Sequence, residues 1–252
     1  MDNTKKFDNK AADYSKGRPS YPVELFAFLE ERFGLDGNST VADIGSGTGI
    51  FTELLAKICG KVYAVEPNAD MRGAAKASSN VVSVDGSAEN TTLESGSVDF
   101  VTAAQAFHWF NVNSFKRECE RILKRGGKTF LVWNRRDMSA AINLRLYDVC
   151  RKYCPNFTGF SGGENNTDEK IRTFYCGDYI EKEFVNPVSY SREKFVSRCL
   201  SSSYSLSESD AAYADYLRAL NEIFDEFATG ELLCVPNKAV LYFSRKDFSD
   251  FR

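Results

Sequence analysis

The chain has 252 residues, 43% of them hydrophobic, which is enough for one large domain or a domain with a cap. Its formal net charge of −3 argues against nucleic acid or another polyanion as a partner. The opening residues lack the apolar core of a secretory signal, and no run approaches the roughly 18 apolar residues of a membrane span. We therefore expect a cytoplasmic protein without a membrane segment.

Cysteine and histidine usage bears on redox state and metal binding. The seven cysteines are scattered, mostly through apolar periodic segments, and the chain has one histidine. An odd, scattered set predicts reduced structural thiols. A single histidine argues against a zinc site, so we expect no metal.

The first 33 residues are predicted to form a polar lid followed by a helix. Residues 1–20 are polar, and Pro22 occupies a position that a first helical turn tolerates. Leu25, Leu29 and Phe33 then recur at helical spacing before Gly34, which indicates a helix that ends there.

Strands and helices alternate over the next hundred residues. The predicted strands lie at 40–44, 61–66, 81–85, 98–106 and 128–134. Helices are expected after Gly49, after Asn68 as N-cap, and over 114–124, where Gly126 and Gly127 would close the helix. Strands joined by helices of about ten residues form right-handed crossovers, so this part predicts a doubly wound α/β core with a parallel sheet.

The regular alternation of predicted strands and helices ends after Arg136. We expect a helix, a mobile loop at 161–169, a strand near 183–190, a helix opening at Ser207 with Asp210 in a capping-box position, and a last strand at 238–244. The chain is thus predicted to be one domain, residues 1–252. Its parts are the lid and helix (1–33), the core (36–136), mainly cap helices over the open end of the sheet (137–230) and the last strand region (231–246). The alternative for the cap helices is that they only extend the core.

A glycine-rich turn follows the first strand and precedes a helix. Such a turn leaves unpaired N–H groups at the helix start, and glycines let a ligand approach the backbone. Glu66 follows 21 residues after Gly45, at the end of the next strand, where a carboxylate can bind both ribose hydroxyls of a nucleoside. The dinucleotide fingerprint would need its third glycine at Ile50 rather than Gly49. Asp43 would also repel a pyrophosphate but suit a cationic group.

The segment DIGSGTG, residues 43–49, resembles motif I of the class I S-adenosylmethionine-dependent methyltransferases. VYAVEPN resembles the second strand of that family with its ribose-binding acid, and the stretch from the adenine loop through strand four is also similar, so the resemblance covers roughly residues 36–136. In detail the chain resembles the small-molecule enzymes of the trans-aconitate and ubiquinone-biosynthesis type, and its opening FDNKAADYSKGRPSYP resembles their N-terminal lid. The resemblance implies a Rossmann-like, mostly parallel seven-stranded sheet with a helical cap inserted after strand five and an N-terminal lid.

The resemblance also implies the cofactor and its contacts. S-adenosylmethionine would be the cofactor and S-adenosylhomocysteine the product. Asp43 would orient the methionine ammonium, and Glu66 would bind the ribose hydroxyls. The other implied contacts are Gly45, Ser46 and Gly47 of the turn, Pro67, Ser87 and Ala88 around the adenine, Ala104 and Gln105 beside the sulfonium, and Arg18 of the lid. The family usually has aspartate at the position of Ser87, and a hydroxyl accepts a weaker hydrogen bond from the adenine amino group.

The methyl acceptor is predicted to be a small organic molecule. The chain has AQAFHWF after strand four instead of the N/D-P-P-Y/F motif of amino-methyltransferases that act on nucleic acids and proteins, and it has no basic stripe. His108 is either a base or a pocket wall, and Trp109 would line the acceptor site. Methylation at oxygen, carbon or a carboxylate is expected. The alternatives are a cofactor-binding regulator without turnover and a dinucleotide-dependent oxidoreductase.

Overall fold

The computed structural model describes residues 20–76, 78–160, 167–202 and 204–245. Most of the predicted lid, including Arg18, and residues 161–166 of the predicted loop lie outside the described residues. In chain order the elements are α1 (Val23–Phe33), β1 (Thr40–Ile44), α2 (Ile50–Leu55), β2 (Lys61–Val65), α3 (Ala69–Ala74), β3 (Val81–Val84), β4 (Val98–Ala104), a 3₁₀ turn (Phe107–Trp109), α4 (Val112–Ile122), β5 (Leu123–Arg136), α5 (Ala141–Tyr153), α6 (Thr167–Phe174), β6 (Tyr179–Val185), β7 (Val188–Tyr190), α7 (Arg192–Leu200), α8 (Tyr213–Phe227), β8 (Leu233–Val235) and β9 (Asn237–Ser244).

The chain divides into two compact units. The first unit comprises the described parts of residues 1–133, 166–184 and 239–252, and the second those of residues 134–165 and 185–238. α6 and all of β6 but its last residue therefore belong to the first unit; the sequence predicted mainly cap helices over 137–230, with one sheet strand near 183–190. Within the described residues, no helix has the length and apolar character needed to cross a bilayer.

Seven of the described strands form one sheet in the order β3-β2-β1-β4-β5-β9-β6. β1 pairs in parallel with both β2 and β4, and β3 and β5 extend the parallel pairing on the two sides. This confirms the predicted Rossmann-like, doubly wound architecture. The strand order reverses between β1 and β4, and open α/β sheets bind their ligands at the carboxyl ends of the strands on either side of such a point.

The central strands are buried on both faces, as a sheet covered by helices on both sides requires. Successive residues of β5 alternate between two apolar clusters: Phe130 and Val132 pack on one face, while Leu131 and Trp133 pack on the other. β9 alternates in the same way from Ala239 to Phe243. The period-two alternation of side chains thus builds one core layer on each face of the sheet.

The glycine pair after α4 has a different role from the one predicted. α4 ends at Ile122, and β5 already begins at Leu123, so Gly126 and Gly127 lie inside a strand. A Cβ added to Gly127 would stand 2.9 Å from the backbone oxygen of Asp99 and 2.8 Å from Leu123 Cδ2. The prediction that this pair closes the helix is wrong, because close passage of β5 past β4 requires glycine there.

The second unit combines helices with a two-stranded ribbon. α5, α7 and α8 share an apolar core, and β7 pairs antiparallel with β8. The single strand expected at 183–190 is therefore two strands, β6 in the large sheet and β7 in the ribbon. The helix expected to open at Ser207 begins at Tyr213, because Ser207 and Asp210 close a separate turn through a 2.7 Å hydrogen bond from Ser207 N–H to Asp210 Oδ2.

Candidate functional site

The turn between β1 and α2 is held by the end of the neighbouring strand. Gly45, Gly47 and Gly49 all have positive φ angles, of 68°, 57° and 85°. The N–H groups of Gly45 and Ser46 both donate to the backbone oxygen of Val65, at 2.8 and 3.1 Å. The carboxyl end of β2 therefore fixes the turn, at the edge of the sheet where the strand order reverses.

The three glycines are required for three different reasons. A Cβ on Gly45 would lie 2.6 Å from Ala106 Cβ, so the protein's own packing excludes a side chain there. A Cβ on Gly47 would meet nothing within 4 Å and would project into open space. At Gly49 the nearest atom would be 3.4 Å away, and the left-handed backbone at the start of α2 is what favours glycine. Of these three glycines, only Gly47 faces open space among the described residues, so room made by Gly45 for the cofactor stays a prediction.

Glu66 lies directly after β2 and reaches back to the turn. Its side chain is 9% exposed; Oε2 accepts the Gly47 N–H at 3.0 Å, and Oε1 accepts the Asn68 N–H at 2.9 Å. Burial raises the pKa of this carboxyl, and the two N–H groups and the charge of Arg72 oppose the rise. A carboxylate has about four lone-pair positions, so two N–H donors leave one free on each oxygen. Glu66 can therefore accept two further donors from one molecule.

Asp43 is enclosed within the sheet. It is 1% exposed, and it accepts hydrogen bonds from Thr52 Oγ1 at 2.6 Å and Thr102 Oγ1 at 2.8 Å. Burial raises the pKa of its carboxyl to about 6, against the effect of the two hydroxyls, and the charge of Glu66 adds to the rise. Asp43 thus joins β1, α2 and β4. A contact with a ligand's ammonium stays a prediction.

The predicted adenine loop is a tight turn tied to α4. The backbone N–H of Ser87 donates to the oxygen of Asn90 at 3.0 Å, and the Ser87 hydroxyl accepts the Asn90 N–H at 3.2 Å. Ala88 is buried, while Glu89 Oε1 accepts the N–H of Asn111, the N-cap of α4, at 2.9 Å. Sequence reasoning missed this role of Glu89, because nothing local signals a partner 22 residues away. Asn68 caps α3 as predicted, by accepting the Met71 N–H, and Pro67 before it is half-buried.

The carboxyl end of β4 turns sharply. Gln105 has a φ of 58°, a left-handed conformation that a residue with a side chain adopts only at a cost, and its N–H donates to the oxygen of Val132 at 2.8 Å. The 3₁₀ turn follows, with the His108 and Trp109 rings 4.7 Å apart. Trp109 is 40% exposed, His108 is half-buried, and Ala104 before the turn is half-buried. The indole of Trp109 is thus partly exposed directly after the strained end of β4.

A lysine from a later helix holds this turn. Lys170 Nζ on α6 donates to the backbone oxygens of His108, at 2.8 Å, and Phe110, at 3.3 Å. Both carbonyls belong to the segment that carries Trp109. Sequence reasoning missed Lys170 because α6 lies about 60 residues further along the chain, in a region assigned to the cap.

In the second unit the Arg136 guanidinium stacks on Phe160 at 4.5 Å and donates to Asn143 Oδ1 at 3.3 Å. All seven cysteines are unpaired, and five of them are buried. In the described part of the chain, no group of three histidine, cysteine or acidic side chains is arranged to hold a metal ion.

Comparison with known proteins shows which family the chain resembles in sequence. Residues 42–131 match the family model described as a methyltransferase domain. An uncharacterized methyltransferase of Schizosaccharomyces pombe is 36% identical over 196 residues, covering 74% of each chain. An uncharacterized methyltransferase-like protein of the same yeast is 34% identical over 64% of each chain. An uncharacterized methyltransferase of Mycobacterium tuberculosis is 37% identical over 52% of this chain and 53% of its own length.

Solved structures show the same fold at low identity. A protein of Anaeromyxobacter dehalogenans, described as a type II methyltransferase, superposes with a TM-score of 0.62 at 22% identity, covering 90% of this chain and 95% of its own. The YcgJ protein of Bacillus subtilis gives 0.52 at 16% identity, covering 89% and 100%. A doubly wound sheet with a glycine turn and an acid after β2 defines a class of nucleoside-binding proteins. Within that class, the chain belongs to the class I S-adenosylmethionine-dependent methyltransferases.

Proposed function

We propose that the first unit binds S-adenosylmethionine and transfers its methyl group to a small organic acceptor. Glu66 carries this proposal, because its carboxylate has a free lone pair on each oxygen and lies beside the open space at Gly47. Two hydroxyls on neighbouring ribose carbons are a pair of donors that fits such a carboxylate. When bound, the cofactor supplies a methyl group on a positively charged sulfur.

Charge favours this cofactor over a dinucleotide. Asp43 and Glu66 are two carboxyls close enough for one to raise the pKa of the other, and both lie at the glycine turn. In this proposal Asp43 would repel a pyrophosphate, whereas its charge attracts a ligand that carries an ammonium and a sulfonium. In this proposal, Gly45, Ser46, Gly47, Pro67, Ser87 and Ala88 border the nucleoside and methionine portions, and Ala104 and Gln105 border the methyl group.

The exposed indole of Trp109 supports a small, partly apolar acceptor. It lies on the segment after Gln105, at the carboxyl edge of the sheet where ligands of this architecture bind. Methyl transfer needs little covalent help from a protein, and holding the acceptor in line accounts for about 7–11 kcal/mol of rate enhancement in well-oriented systems. His108 acts in the same segment, either as a base for a hydroxyl or thiol acceptor or as part of the pocket wall.

Calorimetry with S-adenosylhomocysteine tests the cofactor site. Glu66→Ala should weaken binding by about 1.5–3 kcal/mol, since it removes charge-assisted hydrogen bonds to two hydroxyls. Glu94→Ala is the matched control, because Glu94 is an exposed acid in the same unit. Equal affinity of the two folded variants would remove Glu66 from the site. Binding of NAD in place of S-adenosylhomocysteine would overturn the proposal in favour of an oxidoreductase.

Turnover separates an enzyme from a regulator that only binds the cofactor. We expect radiolabelled methyl groups to appear on small metabolites when the protein is incubated with labelled S-adenosylmethionine and a metabolite extract. The amount of methyl label transferred should not increase when nucleic acid is added to the reaction. Cofactor binding without any labelled product across such extracts would support the regulator instead.

A further inference from the structure

A cleft lies at the amino ends of the parallel strands β4 and β5, whereas Glu66 lies at the carboxyl end of the parallel strand β2. It has a volume of about 500 Å³ and is lined by residues at the beginnings of β4, β5 and β6 and at the end of α1 and β9. Asp99 is the second residue of β4, whereas Gln105 follows its last residue. At about 3.3 Å per residue, the length of β4 separates this cleft from the proposed cofactor site by roughly 20 Å. This cleft is therefore not part of the proposed cofactor site, and every lining residue belongs to the first unit.

The lining of this cleft is strongly cationic although the whole chain is acidic. Among the described residues, its lining includes Arg32, Lys124, Arg125, Lys128 and Arg245, and the one acidic residue in this described lining is Asp99. Lys124 Nζ lies 2.9 Å from both oxygens of Asp99, so these two charges cancel and the excess of positive charge comes from the other basic residues of the lining. A concave surface with one sign of charge focuses the electric field and concentrates ions of the opposite sign.

Two arginines of the cleft are available to an anion. Arg32 contacts the Phe33 ring at 5.6 Å, and neither Arg32 nor Arg125 forms an ion pair with a carboxylate in the part of the chain that the structure describes. Arg245 lies 3.5 Å from Asp178. Guanidinium groups offer paired N–H donors at the spacing of phosphate oxygens, and they remain charged at any physiological pH.

The segment KRGGK, residues 124–128, brings backbone as well as side chains to the cleft. A Cβ added to Gly126 would meet nothing within 4 Å, so the backbone there is open to a ligand. Gly127 must be glycine because a Cβ there would lie 2.9 Å from the backbone oxygen of Asp99. The two glycines thus separate the basic residues Lys124 and Arg125 from Lys128 by two residues without side chains. Small residues between cations leave room for an anion to reach the main chain.

We propose that this cleft binds a phosphate-bearing small molecule. Its volume falls in the range of sites for small ligands. The cationic rim supplies charge-assisted hydrogen bonds to phosphate oxygens, while Phe33, Ile180 and Phe243 supply an apolar wall for the rest of the ligand. A free phosphate compound and the phosphate of a nucleotide share this chemistry. A folded nucleic acid would need a basic surface beyond one cleft.

Titration calorimetry at low salt tests the proposal with inorganic pyrophosphate, ADP and, as an anion without phosphate, succinate. We expect pyrophosphate or ADP to bind and succinate to bind at least about ten-fold more weakly. Tighter binding of pyrophosphate would indicate a free phosphate compound, and tighter binding of ADP would indicate a nucleotide. Arg125→Gln should weaken binding of the tighter probe about ten-fold, and Arg32→Gln combined with Arg125→Gln should abolish its binding.

Arg151→Gln, an exposed arginine of α5 in the second unit, is the matched control and should leave binding unchanged. Each variant should keep wild-type affinity for S-adenosylhomocysteine, which separates this cleft from the proposed cofactor site and shows that the protein is folded. Absence of phosphate binding in the wild type, or equal weakening by Arg125→Gln and Arg151→Gln, would overturn the proposal. Binding of single-stranded RNA that pyrophosphate does not displace would overturn it in favour of a nucleic-acid surface.

Discussion

The carboxylate of Glu66 accepts the backbone N–H of Gly47 across 3.0 Å. The acid after β2 and the middle glycine of the turn after β1 are thereby joined, 19 residues apart in the chain. With Asn68 N–H on its other oxygen, the carboxylate is held in one orientation. The acid and the glycine turn that we propose to bind the nucleoside are thus held together by the protein itself, so little ordering would remain to be done when a ligand binds.

Gly45 and Gly47 should respond differently to the same substitution. Gly45→Ala brings a Cβ to within 2.6 Å of Ala106 and strains a left-handed backbone, so we expect a loss of about 2–4 kcal/mol of unfolding free energy. Gly47→Ala adds only the backbone strain, about 1–2 kcal/mol, but places a methyl group in the open space. Urea unfolding and calorimetry with S-adenosylhomocysteine measure the two effects.

Each of these variants is the control for the other. Gly45→Ala should lose more unfolding free energy than Gly47→Ala. Gly47→Ala should have a loss of cofactor affinity that its smaller loss of stability does not explain. Equal loss of stability in both would mean that the contact with Ala106 does not constrain the turn.

Asp43 should make stability depend on pH. Its folded pKa of about 6 is raised above the ordinary 3.8, so the unfolded chain loses this proton first as the pH rises. The stability associated with the protonated acid is present below about pH 4 and is lost as the pH rises through about 6. The loss amounts to at most about 3 kcal/mol for a shift of roughly two units.

Asp43→Asn removes that titration. Relative to the wild type, the variant should gain stability between pH 4 and 7, as measured by urea unfolding across this range. Asp148→Asn, at an exposed position of α5, is the control. Parallel stability curves for wild type and Asp43→Asn would show that Asp43 is not the titrating group.

Trp109 should affect turnover more than cofactor binding. Because its indole is exposed after the strained end of β4, we expect Trp109→Ala to lower kcat/KM for the acceptor at least ten-fold, about 1.4 kcal/mol, with little change in the affinity for S-adenosylhomocysteine. His108→Gln should leave cofactor binding intact and should shift the pH–rate profile only if His108 is the base. Loss of cofactor binding in Trp109→Ala with an unchanged acceptor KM would place the ring on the cofactor side.

Lys170 should order the segment that carries Trp109. Lys170→Met removes the donor to the oxygens of His108 and Phe110, so amide hydrogen exchange over residues 107–111 should become faster. Lys57→Met, at an exposed position after α2, should leave exchange there unchanged. Identical exchange in the two variants would show that Lys170 is not needed to hold the turn.

Most strands, and the meeting of the glycine turn with Glu66 at one end of the sheet, could be predicted from local pattern. Alternation of apolar residues located β1 to β5 within a few residues, and the glycines with Glu66 located the edge. The pattern failed at Gly126 and Gly127, where the reason for glycine is a backbone from another strand. It also failed at 183–190, since an extended segment does not reveal that its two halves pair in different sheets.

By itself, the sequence determined the class of this protein, because the glycine turn, the spacing to Glu66 and the alternating strands are local features that recur wherever a nucleoside binds at such an edge. Only the tertiary structure decided which glycine borders open space and which is blocked by Ala106. It also decided that Asp43 bonds Thr52 and Thr102, that Lys170 holds the turn of Trp109, and that cations from α1, β5 and the end of β9 line one cleft. The physical reason is common to all of them: each depends on groups brought together from distant parts of the chain, and the spacing of residues along the sequence does not encode such distances.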